Sequence, residues 1–289
     1  MMRSDASAAR CVALLGVLAA APLAAQSAAT RVIETERAFA RAASAMPVRQ
    51  AFLQFIADSG VLLGAGDRRA LAQGPEWGQR FEWGPAAVGT SRDGDLAYST
   101  GPTARRPVGG STITGYGTYS TIWQRQGDGS YRFVVDVGVD VPRHDSTFLA
   151  AVLAERHDVA IGPLAPPVRD TIGALRGLED AEVAARRTAR VQGAGALPLA
   201  RDVRVLRAGR APVIGEPDAR TALRDWGGPL TITVLQRGVA RSHDLAWRAG
   251  RYVLGAGAAE ERGHHLRVWR LDDDGSWRVV LEVWSPDRR

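Results

Sequence analysis

An arginine and a carboxylate recur four residues apart near the end of each half of this chain. Arg132 precedes Asp136, and in a matching local sequence Arg278 precedes Glu282. On a β-strand four residues span about 13 Å, so each pair need not touch directly. Two interpretations stay open. Either these residues form a solvated polar face with cross-strand ion pairs, or the carboxylates face a pocket where they could act as acids or bases.

The five histidines do not form a chelating pattern. His144 and His157 fall in a proline-rich stretch, and His264 and His265 are adjacent, so on a strand they would point to opposite faces. The only cysteine, Cys11, lies near the amino terminus. No nucleophile elbow, phosphate-binding glycine loop or zinc-protease motif is present. We therefore expect neither a metal site nor a cofactor.

The first 25 residues are typical of a secretory signal peptide. Two early arginines precede an apolar run from Val12 to Leu23, and small residues up to Ala25 supply a cleavage site. This run is shorter than the ~20 apolar residues that a membrane-spanning helix needs, so we predict no membrane span. We expect cleavage after Ala25 and a mature protein in the periplasm or outside the cell.

Sequence blocks recur in the same order in the two halves. The segment DLAYSTG at 95–101 returns as DLAWRAG at 244–250, and Trp123–Val137 returns as Trp269–Val283 around a shared Asp-Gly-Ser. Conserved order and spacing indicate an internal duplication. The duplication predicts a first domain at 26–141, a proline-rich linker at 142–171 and a second domain at 172–289.

Within each half the hydrophobic period changes from helical to extended. Apolar residues over 30–57 recur at helical spacing, and Pro47 separates two predicted helices. Odd-numbered residues from Tyr131 to Val137 are predicted on one strand face, after a hairpin turn at Asp128-Gly129. Each half should therefore form a cone-like α+β domain, with N-terminal helices packed on one face of a curved antiparallel sheet.

This plan, with its DLAYxxG strand and its W-x4-DGS-Y/W-R-x-V-x-D/E-V hairpin, resembles the nuclear transport factor 2-like superfamily. More narrowly, it is similar to exported SnoaL-like and ketosteroid-isomerase-like domains of unknown function, over roughly residues 30–141 and 172–287. The resemblance implies a cone-shaped sheet around an apolar pocket. It also implies that the two copies pair sheet to sheet as an intramolecular pseudo-dimer. It does not fix the chemistry, because this superfamily includes isomerases, dehydratases, cyclases, hydrolases and binding modules.

Catalytic members of that superfamily typically place one or two Asp, His or Tyr side chains in an apolar cavity, where desolvation raises the pKa of a carboxyl group. By this resemblance Asp136 is a candidate catalytic residue, with Glu282 at the matching position. Asp58 is the second candidate, at the turn that closes the second helix, and Asp202 lies near the corresponding place. Local turn chemistry explains Asp58 equally well.

Aromatic residues also recur at equivalent positions and either form the two cores or line a pocket. In the first copy the predicted ligand-binding walls are Tyr98, Tyr116, Tyr119 and Trp123, whereas position 247, equivalent to Tyr98, is tryptophan. Because a tyrosine hydroxyl can orient a polar ligand atom, we favour the first copy as the functional one. The second copy would then be a filled, structural copy or a pairing partner for the first.

The formal net charge of +6 does not indicate a nucleic-acid partner. Basic and acidic residues number 13 and 12 over 26–150, and 22 and 18 over 151–289, so the charge is interspersed. The leading hypothesis is an exported protein that binds a small apolar or amphipathic molecule, mainly in its first domain. The alternatives are a cofactor-independent isomerase, dehydratase or hydrolase that uses Asp58 or Asp136 with Tyr98 or Tyr119, and a structural interaction module.

Overall fold

The fold is α+β, as the sequence predicts, with two sheets that are each packed against helices. A computed structural model describes residues 12–142, 158–161, 170–188, 197–226 and 228–287. We call the elements up to residue 161 the first repeat and those from residue 171 onward the second repeat.

Three helices precede or interrupt the first sheet: α1 at Val12–Ala45, α2 at Val48–Phe55 and α3 at Arg68–Gln73. Pro47 is the N-cap of α2, so the predicted break between two helices is confirmed. The buried side chains described for α1 include Ala28, Val32, Phe39 and Ala43. Among the described residues no helix is both long and apolar enough to cross a membrane.

Eight strands form the first sheet. They are β1 Ile56–Leu62, β2 Gly66–Asp67, β3 Gln79–Trp83, β4 Ala87–Thr90, β5 Leu96–Pro107, β6 Gly115–Arg125, β7 Tyr131–Val141 and β8 Asp158–Ile161. Their order is β2-β1-β7-β6-β5-β4-β8, and β3 pairs with the outer part of β5. Part of the predicted linker, β8, pairs in parallel with β4.

The described residues of the second repeat form two α-helices and six strands. They are α4 Thr171–Thr188, β9 Leu199–Arg207, β10 Val213–Ile214, α5 Glu216–Asp225, β11 Leu230–Val239, β12 Leu245–Leu254, β13 Glu261–Leu271 and β14 Trp277–Pro286, with a 3₁₀ turn at Gly257–Ala259. The order β10-β9-β14-β13-β12-β11 repeats the order of the first sheet from β2 to β5.

The duplicated Asp-Gly-Ser segments form the predicted hairpin turns. Gly129 has φ of 84° and Gly275 has φ of 78°, a left-handed conformation that glycine adopts without a steric penalty. The carboxylates of Asp128 and Asp274 each accept a hydrogen bond from the backbone N–H two residues later. Local turn chemistry therefore closes both hairpins in the same way.

A β-bulge in the strand that follows changes which residues share a face. Trp123 pairs with Phe133, whereas the preceding residue Ile122 pairs with Val135, so Val134 is the extra residue. Phe133 then packs toward the helices, and Val135 packs into a cluster that includes residues of the second sheet. The prediction of one continuous face from Tyr131 to Val137 is therefore wrong.

The bulge also separates the arginine and the carboxylate that the sequence spaces four residues apart. Arg132 pairs with Gln124, and Asp136 pairs with Thr121 three residues away, so the two side chains lie on opposite faces. A corresponding register shift occurs between β13 and β14. The four-residue spacing alone predicts that each arginine and its carboxylate lie on one strand face, and this prediction is wrong because an extra residue is inserted between them.

The two repeats contact each other through equivalent surfaces. One buried cluster contains residues that match between the sheets, namely Leu96, Tyr98, Ile122, Val135 and Val137 with Leu245, Trp247, Val268, Leu281 and Val283. Two hydrogen bonds beside it are reciprocal. The backbone N–H of Arg92 donates to Asp244 at 2.9 Å, and the N–H of Arg241 donates to Asp95 at 3.0 Å. Asp95 and Asp244 begin the duplicated DLA segments.

Candidate functional site

A row of polar side chains crosses the helix-facing side of the first sheet. Ser99 on β5 pairs with Thr121 on β6, which pairs with Asp136 on β7. Residues paired in this way project from the same face, so the three side chains are neighbours. Thr121 donates to Asp136 Oδ2 at 2.6 Å, and Asp136 is only 6% exposed. The interpretation of a solvated polar face is therefore wrong for Asp136.

Helix α1 brings a second carboxyl group, Glu36, to this row. Glu36 is fully buried. Its Oε1 accepts a hydrogen bond from Trp83 Nε1 at 2.7 Å. Its Oε2 accepts from Ser99 Oγ at 2.5 Å and from Trp123 Nε1 at 3.1 Å. Residues from α1, β3, β5 and β6 thus converge on one carboxyl group.

Sequence reasoning missed Glu36, although the signal was present. Val32, Glu36, Phe39 and Ala43 follow one another at spacings of four, three and four residues, which places them on one face of a helix. An acid within an apolar helical stripe must be buried with hydrogen-bond partners or must change its protonation state. Only the apolar members of this stripe entered the sequence prediction.

Burial raises the pKa of both carboxyl groups to about 7. Desolvation is the main cause for each. The negative charge of Glu36 adds to the effect at Asp136, whereas the hydrogen bond from Thr121 opposes it. Among the described residues no arginine or histidine forms an ion pair with either group. Without a nearby cation, two interacting buried acids favour a state in which at least one is neutral near pH 7.

Tyr119 adds a hydroxyl group on the same face, two residues before Thr121 on β6. Its Oη is buried near the Ser99 hydroxyl, but it forms no hydrogen bond of normal geometry in the described part of the chain. Burial, followed by the charges of Glu36 and Asp136, raises the pKa of Tyr119 well above its usual value, while the Ser99 hydroxyl opposes the shift. Tyr119 therefore stays neutral and retains a proton that it can donate.

Aromatic rings enclose these polar groups. The ring of Phe39 packs at 4.9 Å from that of Trp83, 5.8 Å from Phe133 and 6.3 Å from Trp123. Trp83 also lines an open groove of about 430 Å³, with Ala40, Arg41, Ser44, Ala45 and Glu82. Because the indole of Trp83 donates to Glu36, this one side chain links the groove to the buried acids.

The structure brings together three of the residues that the sequence nominated, Asp136, Tyr119 and Trp123. It places Tyr98 on the opposite face of the sheet, in the cluster between the repeats. Tyr116 is half-buried and lies an odd number of residues from Tyr119, hence also on that opposite face.

Asp58, the other candidate catalytic residue, is not part of this row. Its carboxylate is fully exposed and lies 3.7 Å from Nε of Arg68. Asp202, near the corresponding place in the second repeat, is about half-exposed and pairs with Arg270 at 3.0 Å. Neither carboxylate contacts the interior polar row of its own repeat.

The second repeat carries different residues at the equivalent positions. Arg248 on β12 pairs with Arg267 on β13, which pairs with Glu282 on β14. Arg267 is fully buried and donates from Nε to Glu282 at 2.6 Å and from Nη1 to Glu182 of α4 at 2.7 Å. Glu282 is also fully buried, so the interpretation of a solvated face is wrong here as well. His265, in the place of Tyr119, lies 2.8 Å from Glu282.

These ion pairs reverse the electrostatics found in the first repeat. Burial alone would raise the pKa of Glu282, but the charges of Arg267 and then His265 outweigh it and lower that pKa far below its usual value. Burial lowers the pKa of His265 despite the adjacent carboxylate. Burial, and then the charge of Arg267, lowers the pKa of Arg248 to about 10. Over the described residues no cluster of three or more His, Cys, Asp or Glu side chains could hold a metal ion.

No protein-family model and no curated protein matches this chain. Among solved structures, it is similar to a nuclear transport factor 2-like protein of unknown function from Pseudomonas putida, with 22% identity, a TM-score of 0.34 and coverage of 40% of this chain and 87% of that one. It is also similar to a ketosteroid isomerase-like protein from Erwinia carotovora atroseptica, with 14% identity, a TM-score of 0.35 and coverage of 42% and 100%. A third match is an epoxide hydrolase-like protein from Mycobacterium tuberculosis, with 19% identity, a TM-score of 0.31 and coverage of 42% and 82%.

Proposed function

We propose that this chain is an exported protein whose first repeat binds a small apolar or amphipathic molecule between α1 and the inner face of the first sheet. The observation that carries the proposal is a pair of buried polar groups with unused hydrogen-bonding capacity. Tyr119 Oη has no partner, and the side chain of Asp136 has only Thr121, in the described part of the chain. Buried polar groups of this kind are rare unless a ligand or water completes them.

The chemistry of these groups defines the polar end of the ligand. A neutral Asp136 and a neutral Tyr119 can both donate a hydrogen bond, so a carbonyl or hydroxyl oxygen suits them. The aromatic rings of Phe39, Trp123 and Phe133 favour an apolar body. The groove beside Trp83 is the proposed approach, and its volume lies within the range of about 300–1,000 Å³ that is usual for small-molecule sites.

A second candidate is cofactor-independent proton transfer, as in an isomerase, dehydratase or hydrolase. The pKa of about 7 at both Glu36 and Asp136 favours it, because a group with a pKa near the working pH both accepts and donates protons efficiently. In this case Asp136 would exchange the proton with the bound molecule. Glu36 would hold the pKa of Asp136 high through its charge.

Mass spectrometry of small molecules that copurify with the full chain tests the binding proposal. Asp136→Asn and Tyr119→Phe should each reduce the copurified ligand at least tenfold, whereas Asp58→Asn should match the wild type because Asp58 lies in solvent. The binding proposal is contradicted if wild type and Asp136→Asn contain equal amounts of ligand. It is also contradicted if neither protein contains a ligand and neither binds a fluorescent apolar dye. In both cases the structural interaction module is the remaining hypothesis.

Hydrogen–deuterium exchange into the ligand separates the two candidates. With proton transfer, the identified ligand incubated with protein in D₂O gains deuterium at carbon, and Asp136→Asn abolishes this gain. With binding alone, the ligand returns unlabelled from the wild type. The catalytic role of Asp136 is ruled out if Asp136→Asn labels the ligand at the wild-type rate.

We also propose that the chain is exported with cleavage after Ala25 and that its two domains, 26–141 and 172–289, form an intramolecular pseudo-dimer. The reciprocal bonds of Asp95 and Asp244 support this pairing. The intact mass of the exported protein should correspond to a chain that begins at Gln26. Sedimentation should give a monomer, since each repeat already covers the pairing surface of the other.

A further inference from the structure

Arg248 carries two hydrogen-bond donors that nothing in the described chain accepts. Arg248 is 4% exposed, and its Nη1 pairs with Glu179 of α4 at 2.8 Å. Its Nε and Nη2 are buried without a partner. These two N–H groups form one edge of the guanidinium plane, and such an edge matches the two oxygens of a carboxylate.

Trp269 supplies a third unpartnered donor to the lining of the cavity that Arg248 lines. Its Nε1 is buried and has no acceptor in the described chain, and its ring centroid lies 5.5 Å from the Arg248 guanidinium carbon. Both residues line the same small cavity of about 10 Å³. A cavity of this size holds one compact group, comparable to a single water molecule.

The equivalent position in the first repeat is occupied by a carboxylate. Ser99 and Trp123 are the equivalents of Arg248 and Trp269, and both donate to one oxygen of Glu36. There, a carboxylate supplied by the chain occupies the point where these two positions converge. In the second repeat the glutamates of α4 bind Nη1 of Arg248 and Nη1 of Arg267 instead, so the remaining donors are left without an acceptor.

The surroundings of the cavity favour a negative ligand. Arg176 of α4 and Arg237 of β11 also line it. The positive charge of Arg267 lies behind Arg248, although Glu182 and Glu282 compensate it. Among the described residues of the lining, Glu179 is the only acidic one, against three arginines. An anion would therefore gain both hydrogen bonds and charge attraction.

We propose that the second repeat binds one compact monovalent anion on the Nε–Nη2 edge of Arg248, with Trp269 Nε1 as a third donor, in the place that the Glu36 carboxylate takes in the first repeat. A free small ion and the carboxylate end of a larger molecule present the same chemistry to this edge. The small cavity admits only the charged end of a larger molecule. This site is independent of the ligand proposed for the first repeat.

The indole N–H resonances of the full chain report directly on this site. Sodium acetate is titrated against the ¹⁵N-labelled protein at constant ionic strength, with sodium sulfate as the balancing salt because its divalent, tetrahedral anion does not match the monovalent, two-oxygen group proposed for the Nε–Nη2 edge. We expect the Trp269 resonance, assigned by its loss in Trp269→Phe, to shift in a saturable manner. A Trp269 resonance that does not respond to acetate overturns the proposal.

Two arginine variants distinguish the site from a general charge effect. Arg248→Gln should weaken acetate binding at least tenfold, whereas Arg201→Gln, which removes an exposed arginine on β9, should leave it unchanged. Should Arg248→Gln fail to fold, loss of acetate-induced thermal stabilisation in Trp269→Phe provides the same test. The proposal is contradicted if the variant that folds, Arg248→Gln or Trp269→Phe, binds acetate as tightly as the wild type.

The source of the anion is resolved by competition. If chloride displaces acetate, the site accepts any compact ion. If a longer carboxylate binds more tightly than acetate, the site receives the charged end of a larger ligand. Both results support the proposal. The proposal is overturned if neither chloride nor any carboxylate binds.

Discussion

The inner rows of the two repeats place different residues on the same backbone positions. In the first repeat Ser99, Thr121 and Asp136 lie side by side, and in the second Arg248, Arg267 and Glu282 take their places. The first row contains a buried acid without a cation, and the second contains a compensated ion pair. The comparison teaches that the duplicated backbone decides which side chains meet, whereas their charges decide whether the buried acids have raised pKa values or are ionised in ion pairs.

Replacing one residue of the second row by its equivalent from the first row should have the largest effect on the free energy of unfolding. Arg267→Thr places the first repeat's residue in the second row and removes the buried guanidinium that pairs with Glu282 and Glu182. We expect a loss of about 3–5 kcal/mol in the free energy of unfolding, the usual cost of removing one partner of a buried pair. Urea denaturation monitored by tryptophan fluorescence measures this loss.

Arg278→Gln is the matched control for this variant. Arg278 pairs with Asp274, but both side chains are substantially exposed. Its removal should cost no more than about 1 kcal/mol. Equal losses for Arg267→Thr and Arg278→Gln would show that the inner row of the second repeat does not depend on charge compensation.

The two repeats should respond to pH in opposite directions. The folded pKa of about 7 for Glu36 and Asp136 lies above the ordinary values of 4.5 and 3.8, so folding binds protons between these limits. The contribution of these groups to stability is therefore complete below about pH 4 and is lost as the pH rises through 7, by about 3 kcal/mol per group as an order of magnitude. In Glu282 the pKa is lowered, so its contribution is lost as the pH falls below its ordinary value of 4.5.

Hydrogen exchange of individual amides between about pH 2 and pH 8 separates these responses. Protection of β6 and β7 should decrease as the pH rises from 4 to 8, whereas protection of β13 and β14 should stay constant above pH 4.5 and decrease below it. Asp136→Asn should flatten the first trend and leave the second unchanged. Parallel trends in the two sheets would contradict the contrast between an uncompensated and a compensated row.

Where the repeats are alike, substitutions should have equal effects. Asp95→Ala and Asp244→Ala each remove the acceptor for one backbone N–H of the other repeat, and each also loses a serine partner. We expect a destabilisation of about 1–3 kcal/mol for each, from the loss of the backbone and serine hydrogen bonds to the carboxylate. Thermal denaturation of the two variants should agree, and a large difference would argue against reciprocal pairing.

Substitutions in the two hairpin turns should differ least in their effect on the free energy of unfolding. Gly129→Ala and Gly275→Ala place a side chain in the left-handed conformation, which costs roughly 1–2 kcal/mol. The same loss in both repeats, measured by urea denaturation, would show that the turns are interchangeable. Unequal losses would locate an asymmetry outside the inner rows.

Much of the local structure follows from the sequence. The Asp-Gly-Ser turns, the break at Pro47 and the repeated DLA strand rest on neighbouring residues alone, and all three form as expected. Asp136 was also identified, because its position recurs in both halves. Its exposure could not be predicted, since the bulge at Val134 that sets its face depends on pairing with β6.

The candidate site was only partly visible for the same reason. The sequence groups Tyr98 with Asp136, Tyr119 and Trp123. Tyr98 directly precedes Ser99 on β5, however, so its side chain projects from the opposite face of the sheet. Glu36 was missed because its importance lies in contacts with Trp83 and Ser99, far away in the chain.

By itself the sequence determined the duplication, the α+β class and the hairpin turns, because periodicity and turn chemistry act over a few residues. Tertiary structure alone decided that Glu36 and Asp136 are buried together and that Arg267 compensates Glu282. Burial and cross-strand pairing depend on residues tens of positions apart, and they set the pKa of each acid. The same duplicated plan therefore carries two different interiors.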